Sequence, residues 1–148
     1  MKLKFVKTHP DAKIPTKAYP DDHCYDLYAV SEEEIATNVW KYGFGLAFEL
    51  EKGHVYNPRI NYALKIYPRS SIWKTGMILS NYSGIIDEGY RNEISAVFYH
   101  VMPNMPRYEK GQKIAQLCIE ASEDVEFVEV EELGDSARGL KGYGSSGK

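Results

Sequence analysis

The sequence has almost no cysteine. Cys24 and Cys118 are the two thiols among 148 residues, and they stand far apart, outside any CxxC or Cys/His spacing, so neither a zinc site nor a disulfide framework is indicated. Reduced thiols and a cytoplasmic location are the expectation. Long apolar runs are missing too: Met1 to Phe5 opens an alternating pattern with neither signal-peptide nor transmembrane character. Positive charge is not in excess. With a net charge of −3 the chain offers no general basic field to a nucleic-acid backbone, so an anionic ligand has to be held by a local cluster of Lys, Arg and backbone amides. The expected partners therefore include no nucleic acid and no membrane, and a small phosphorylated substrate fits better. No repeat of solenoid period is present.

What is present is a globular composition, with 43% hydrophobic and 26% charged residues, in a length that suits one domain. Apolar alternation of period two recurs in Leu3 to Val6, Phe44 to Leu50, Tyr62 to Tyr67, Ile94 to Val101, Ile114 to Ile119 and Val125 to Val130, with Gly, Pro, Asn and Asp between the runs. This pattern predicts an all-β sandwich or barrel with at most one short helix, near residues 70–76, where a Ser N-cap and Gly76 would bound it. Ser31 to Ile35 reads as a charged loop. After Glu132 the composition shifts: Leu133 to Lys148 is rich in Gly and Ser without apolar periodicity, so residues 1–132 are expected to form the core and 133–148 a flexible arm.

Three stretches carry chemistry. Asn81 to Ile94 places Asp87 at the end of an apolar run, in a segment punctuated by Gly84 and Gly89 that reads as a hairpin. Asp87 is either a turn residue or a base that takes a proton from water, with Ile85, Ile86 and Tyr90 to dry its surroundings. Pro68-Arg69-Ser70-Ser71 precedes the short helix, and its hydroxyls, amides and forked guanidinium suit a phosphate, although Arg69 alone could be an ordinary ion-pair residue. Arg138 to Gly147 combines two cations, Tyr143 and many free amides, an inventory able to close over a phosphorylated planar ligand. Two further polar residues interrupt apolar strands. Asp26 suits a metal-bound water or a salt bridge, and Gln116 suits a phosphate, a water or plain solvent.

Five segments, in order and spacing, resemble the motifs of the trimeric deoxyuridine triphosphatases (dUTPases): Tyr25 to Ala29, Pro68 to Ser71, Gly84 to Tyr90 with Asn81 before it, Gly111 to Leu117, and Arg138 to Gly147. The resemblance spans about residues 20–148. It implies a jelly-roll-like β fold and a homotrimer with shared active sites. It also implies hydrolysis of dUTP to dUMP and pyrophosphate with Mg2+, which limits uracil in DNA and supplies dUMP for dTMP synthesis. Carried onto this chain, it makes Asp87 the base that activates the water attacking the α-phosphate, and sets Tyr90 under the deoxyribose. Asn81 and the backbone around Gly84 would read uracil. Arg69, Ser70 and Ser71 would hold phosphates, and Gln116 would lie near the α-phosphate. Asp26 would act on Mg2+ through water only. Arg138 would meet the γ-phosphate, with Tyr143 over the base and Gly144 and Ser145 on the phosphates. The chain departs from the family pattern at His23, Cys24, Ser71, Asn92, Leu140 and Lys141, and Glu51 to Asn61 matches no pattern.

Two alternatives differ in kind. A dCTP deaminase-like enzyme of the same fold often carries Arg-Ser-Ser before a short helix, but the place of its glutamate falls on Val97. The other is a β-sandwich binding or structural module without catalysis.

Overall fold

The computed structural model describes residues 2–51 and 60–142. Ten strands and one helical turn follow in order: β1 (Lys2–Lys7), β2 (Tyr25–Tyr28), β3 (Ser31–Ala36), β4 (Val39–Gly43), β5 (Leu46–Glu51), β6 (Ile60–Pro68), the 3-10 helix Ser70–Lys74, β7 (Met77–Leu79), β8 (Gly84–Asp87), β9 (Ser95–His100) and β10 (Lys113–Glu123). All pairings are antiparallel. They form two four-stranded sheets, ordered β2-β10-β6-β8 and β3-β4-β9-β7, and the pair β1-β5. The all-β expectation holds, and so does the single short helix.

The core fills the space between the sheets, where the inner strands turn apolar side chains toward one another. Leu27, Leu64, Ile66, Ala115 and Leu117 come from one sheet, and Tyr42, Phe98, Ala96 and Leu79 from the other; Phe44, Leu46 and Phe48 complete the cluster. Phe98 packs edge-on against Tyr42 and Tyr108, with ring centroids 5.8 and 5.5 Å apart. Tyr42 resolves its buried hydroxyl by donating to Tyr108 O at 2.8 Å, so the large ring is interred without an orphaned polar atom.

Four readings of the sequence are corrected. Ser31–Ala36 is a strand, not a loop: Thr37 and Asn38 make a two-residue hairpin connection to β4, and Asn38 takes the positive φ of 60° that such a turn demands. The strand is exposed along its length, and its run of Glu marks a charged sheet edge. Val125 to Val130, by contrast, forms no strand, and its apolar side chains lie in solvent, Phe127 at 95% exposure. Among the described residues no strand pairs with it. The helix is capped by Arg69 with no side-chain cap bond, not by a Ser, and it ends at Thr75. Gly76 follows because a Cβ there would stand 2.4 Å from Met102 O.

The fourth correction concerns the central segment. Asn81 to Ile94 is not a paired hairpin among the described residues: β8 pairs with β6, whereas β7 and β9 belong to the opposite sheet. The segment is a crossover between sheets. Positive φ falls on Tyr82 (56°), not on Gly84 or Gly89.

Candidate active site

The sheet β2-β10-β6-β8 positions the polar residues on its outer face. Asp26 stands opposite Gln116, and Gln116 opposite Tyr67, so these three side chains form one cross-strand row. A one-residue bulge at Ile114 then shifts the β10–β2 register, leaving Lys113 opposite Tyr28. The bulge inverts the alternation and turns Lys113 onto the same face as Asp26. Lys113 Nζ donates to Asp26 Oδ2 at 2.8 Å, and Arg69 Nε lies 3.5 Å from Asp26 Oδ1. Arg69 also donates from Nη1 to Lys113 O and to Ser71 Oγ, at 3.4 and 3.5 Å.

Asp26 is therefore buried between two cations, its side chain 8% exposed, while Arg69 and Lys113 are about a third exposed. The hydrogen bond from Lys113 to Asp26, and then its contact with Tyr28, raise the lysine pKa, so this cation stays charged. One carboxylate against two cations leaves a net positive corner suited to an anion. Ser71 is half-buried beside it and Ser70 is exposed. A single 3-10 turn supplies little dipole, so the corner owes its charge to side chains. Gly111, with φ of 91°, makes the turn into β10 and donates to Ala29 O at 2.7 Å, which ties the first and fourth motifs together.

A second group lies in the crossover. Asn81 and Gly84 line a cleft of about 100 Å³ with Ile66, Leu79, Ser80, Ser95, Ala96 and Val97. Its lining holds an amide, two hydroxyls and backbone, but no acid or base. Ser80 N donates to Val97 O at 2.9 Å, closing one wall.

Asp87 and Tyr90 form a third group. Tyr90 N donates to Asp87 O at 3.0 Å in a tight turn, and Tyr90 Oη donates to Glu93 O at 3.1 Å. Asp87 is exposed. Of the three residues expected to dry its surroundings, Ile85 is itself 62% exposed, whereas Ile86 and Tyr90 line a small apolar cavity beside Asp87. Asp87 stands opposite Ala63, and Ala63 opposite Glu120. From Glu120 to Gln116 is four residues of β10, about 13 Å along the strand, and two strand spacings add about 10 Å sideways.

Arg138 joins none of these groups. Its guanidinium donates to Lys141 O and Gly142 O, at 3.2 and 3.3 Å, within its own exposed loop. Tyr143, Gly144 and Ser145 lie outside the described residues, as does most of the unmatched segment 51–61.

Sequence reasoning passed over Lys113, whose placement depends on the bulge. It also passed over the set Lys65, Tyr67 and Glu120. Glu120 accepts from Lys65 Nζ at 2.6 Å and from the Tyr67 hydroxyl. Lys65 first, then Tyr67, hold its carboxyl below the usual carboxylate range. Beside them Cys24 is raised above the usual thiol value, first by burial and then by Cys118.

Among the described residues no group of three or more His, Cys, Asp and Glu could hold a metal ion. Asp26, the buried carboxylate of the corner, is engaged by two cations. No described helix is long and apolar enough to cross a membrane.

Fold and site together define an antiparallel β-sandwich protein with a net positive corner, a cleft with an uncharged lining and a separate exposed carboxylate. A family model for dUTPase matches residues 10–147. The deoxyuridine 5'-triphosphate nucleotidohydrolase of Nautilia profundicola is 36% identical over 150 residues, with 100% of both chains covered. The protein of the same name from Corynebacterium glutamicum is 36% identical, over 99% of this chain and 95% of its own. In fold the chain is similar to a mutant dUTPase of Staphylococcus bacteriophage 80alpha solved with dUpNHpp, with a TM-score of 0.75, 22% identity and 99% of both chains covered. It is also similar to a mutant dUTPase of phage phi11 of S. aureus, solved to reveal the coordination of a structural Mg(II) ion. There the TM-score is 0.68 at 18% identity, over 91% of this chain and 100% of that one. The chain belongs to the dUTPase family.

Proposed function

We propose that the chain is a dUTP diphosphatase that releases dUMP and pyrophosphate. The observation that carries this reading is the neutral cleft around Asn81 and Gly84. A base read there meets amide and backbone groups, and a base with the wrong edge would leave them unpaired. The same cleft argues against a deaminase. Val97 lines it, and no titratable side chain is present to shuttle protons to a pyrimidine ring. A module without catalysis would have no need of the charged corner at Arg69 and Lys113.

In the proposed mechanism the nucleotide places its phosphates at the corner of Arg69, Ser70, Ser71 and Lys113. Asp26 acts as a positioning residue that fixes both cations, and Gln116 in the same row faces the α-phosphate. A bound Mg2+ would supply charge neutralisation for the triphosphate beside Asp26, which would act on it through water only. Tyr90 flanks the sugar, and Asp87 takes the proton of the water that attacks phosphorus. Arg138 and the arm, with Tyr143, Gly144 and Ser145, close over the ligand and exclude bulk water.

Asp87 and Gln116 cannot both reach one α-phosphate in a single chain, given the separation of their backbone positions. This supports a homotrimer whose sites are assembled from several chains. The exposed Val125, Phe127, Val128, Val130 and Leu133 support it as well, because an apolar strip of this kind suits the surface of a second copy. The test is pyrophosphate release across the deoxynucleoside triphosphates: dUTP is the expected substrate. Ammonia from dCTP without pyrophosphate from dUTP would overturn the reading.

A further inference from the structure

His23, Cys24 and Cys118 have no part in the proposed reaction, yet they meet on the sheet face that carries Asp26 and Gln116. His23 Nε2 lies 3.1 Å from Cys118 Sγ. Both cysteines are free thiols, Cys24 half-buried and Cys118 buried, and Cys118 is near enough to Cys24 to add to the effect of burial in raising its pKa. The ladder explains the meeting. Gln116 faces Asp26 and Leu117 faces Tyr25, where the ladder ends, and Cys24, in the bend just before β2, would fall against Cys118 if the register continued one step.

The type of pair matters for what the two sulfurs can do. Asp26 N donates outward to Thr16 O at 2.8 Å, away from β10, which makes Asp26 and Gln116 a non-hydrogen-bonded pair. Alternation gives Cys24 and Cys118 the same character. Such pairs hold their Cα atoms about 4.5 Å apart, within the range of roughly 4.4–6.8 Å that a disulfide spans.

We propose that Cys24 and Cys118 are a reversible oxidation site, closed by hydrogen peroxide into an intramolecular disulfide between β2 and β10. Cys24 is the more accessible thiol and, because burial and Cys118 raise its pKa, it attacks the peroxide slowly at neutral pH and faster as pH rises: the S–O bond forms, the O–O bond breaks, and the departing hydroxide takes the thiol proton as water. Cys118 passes its proton to His23 Nε2 and attacks the sulfenic sulfur. The S–S bond forms, the S–O bond breaks, and the leaving hydroxide recovers the proton from His23. Two thiols and one peroxide thus give one disulfide and two waters. A reducing dithiol reverses the change by exchange. Closing a loop as long as that from 24 to 118 restricts the unfolded chain, so the oxidised protein melts higher.

The experiment treats the full chain with hydrogen peroxide, denatures it, alkylates free thiols and measures the intact mass and the cross-linked peptides. Expected are the loss of both alkylatable thiols, a mass lower by two hydrogen atoms, one peptide joining Cys24 to Cys118, and a melting temperature several degrees higher, all reversed by dithiothreitol. Cys24→Ser, at the less buried position, keeps the fold and forms no bridge. Two thiols still alkylated, a bridge between separate chains, or a stable oxyacid on one cysteine would each overturn the proposal.

Discussion

The two ends of the sheet β2-β10-β6-β8 differ in how firmly their polar groups are held. At the Asp26 end, a buried carboxylate grips Arg69 and Lys113, and Arg69 is further tied to Lys113 O and Ser71. At the Asp87 end, the carboxylate stands exposed at the tip of a four-residue strand, steadied by one backbone turn. The contrast teaches which half of the site one chain completes alone. The cations at one end are fixed within the chain, whereas the carboxylate at the other end stands exposed among the described residues.

The contrast can be broken most severely at its loose end. Asp87→Asn is expected to lower pyrophosphate release by about 10²–10⁴-fold, the usual contribution of a positioned base. Binding of a non-hydrolysable dUTP analogue should persist, since the exposed carboxylate supports no packing. An unchanged rate would remove Asp87 from the chemistry. Deleting residues 133–148 should cost about 10²-fold in turnover through lost positioning, with the melting temperature nearly unchanged. A truncated chain with full activity would make the arm a passive tail.

At the firm end the expected effects fall on stability. Asp26→Ala leaves two cations facing each other. Both are about a third exposed and can be hydrated, so the cost is about 1–3 kcal/mol, less than for a fully buried pair. Calorimetry should register a melting temperature lower by roughly 2–10 °C. No loss of stability would mean that Asp26 anchors nothing.

The smallest effect concerns pH. Glu120 is held below its ordinary carboxylate value by Lys65 and then Tyr67. Its contribution is therefore complete above the ordinary value near 4.5, and it is lost as pH falls through the lowered folded value. The melting temperature of Glu120→Gln should converge on that of the unaltered chain as the medium is acidified through this window. Parallel curves across the window would show that the ion pair contributes nothing.

The same contrast marks what could be read from the sequence. Alternation identified β1, β5, β6, β9 and β10; β6 and β9 bury alternate residues, whereas β1 has no buried residue and β5 and β10 bury neighbours in sequence. It missed β3, whose six residues are all exposed and whose only signal is the Thr37-Asn38 turn. It overreached at Val125 to Val130, where the alternation is present without a partner strand among the described residues. Motif spacing singled out Arg69, Gln116 and Asp87, but register alone reveals that Gln116 and Asp87 stand far apart. Lys113 was hidden for a similar reason: a one-residue bulge reverses the face of a side chain without leaving a mark in composition.

The most direct test of shared sites is complementation. Chains carrying Asp87→Asn and chains lacking residues 133–148 are each expected to be nearly inactive; unfolded together and refolded as mixed assemblies, they should regain pyrophosphate release from dUTP. Recovery well above the sum of the two parents is the predicted result. A mixture that remains at that sum would mean that the arm and Asp87 must belong to one chain, and would contradict the account.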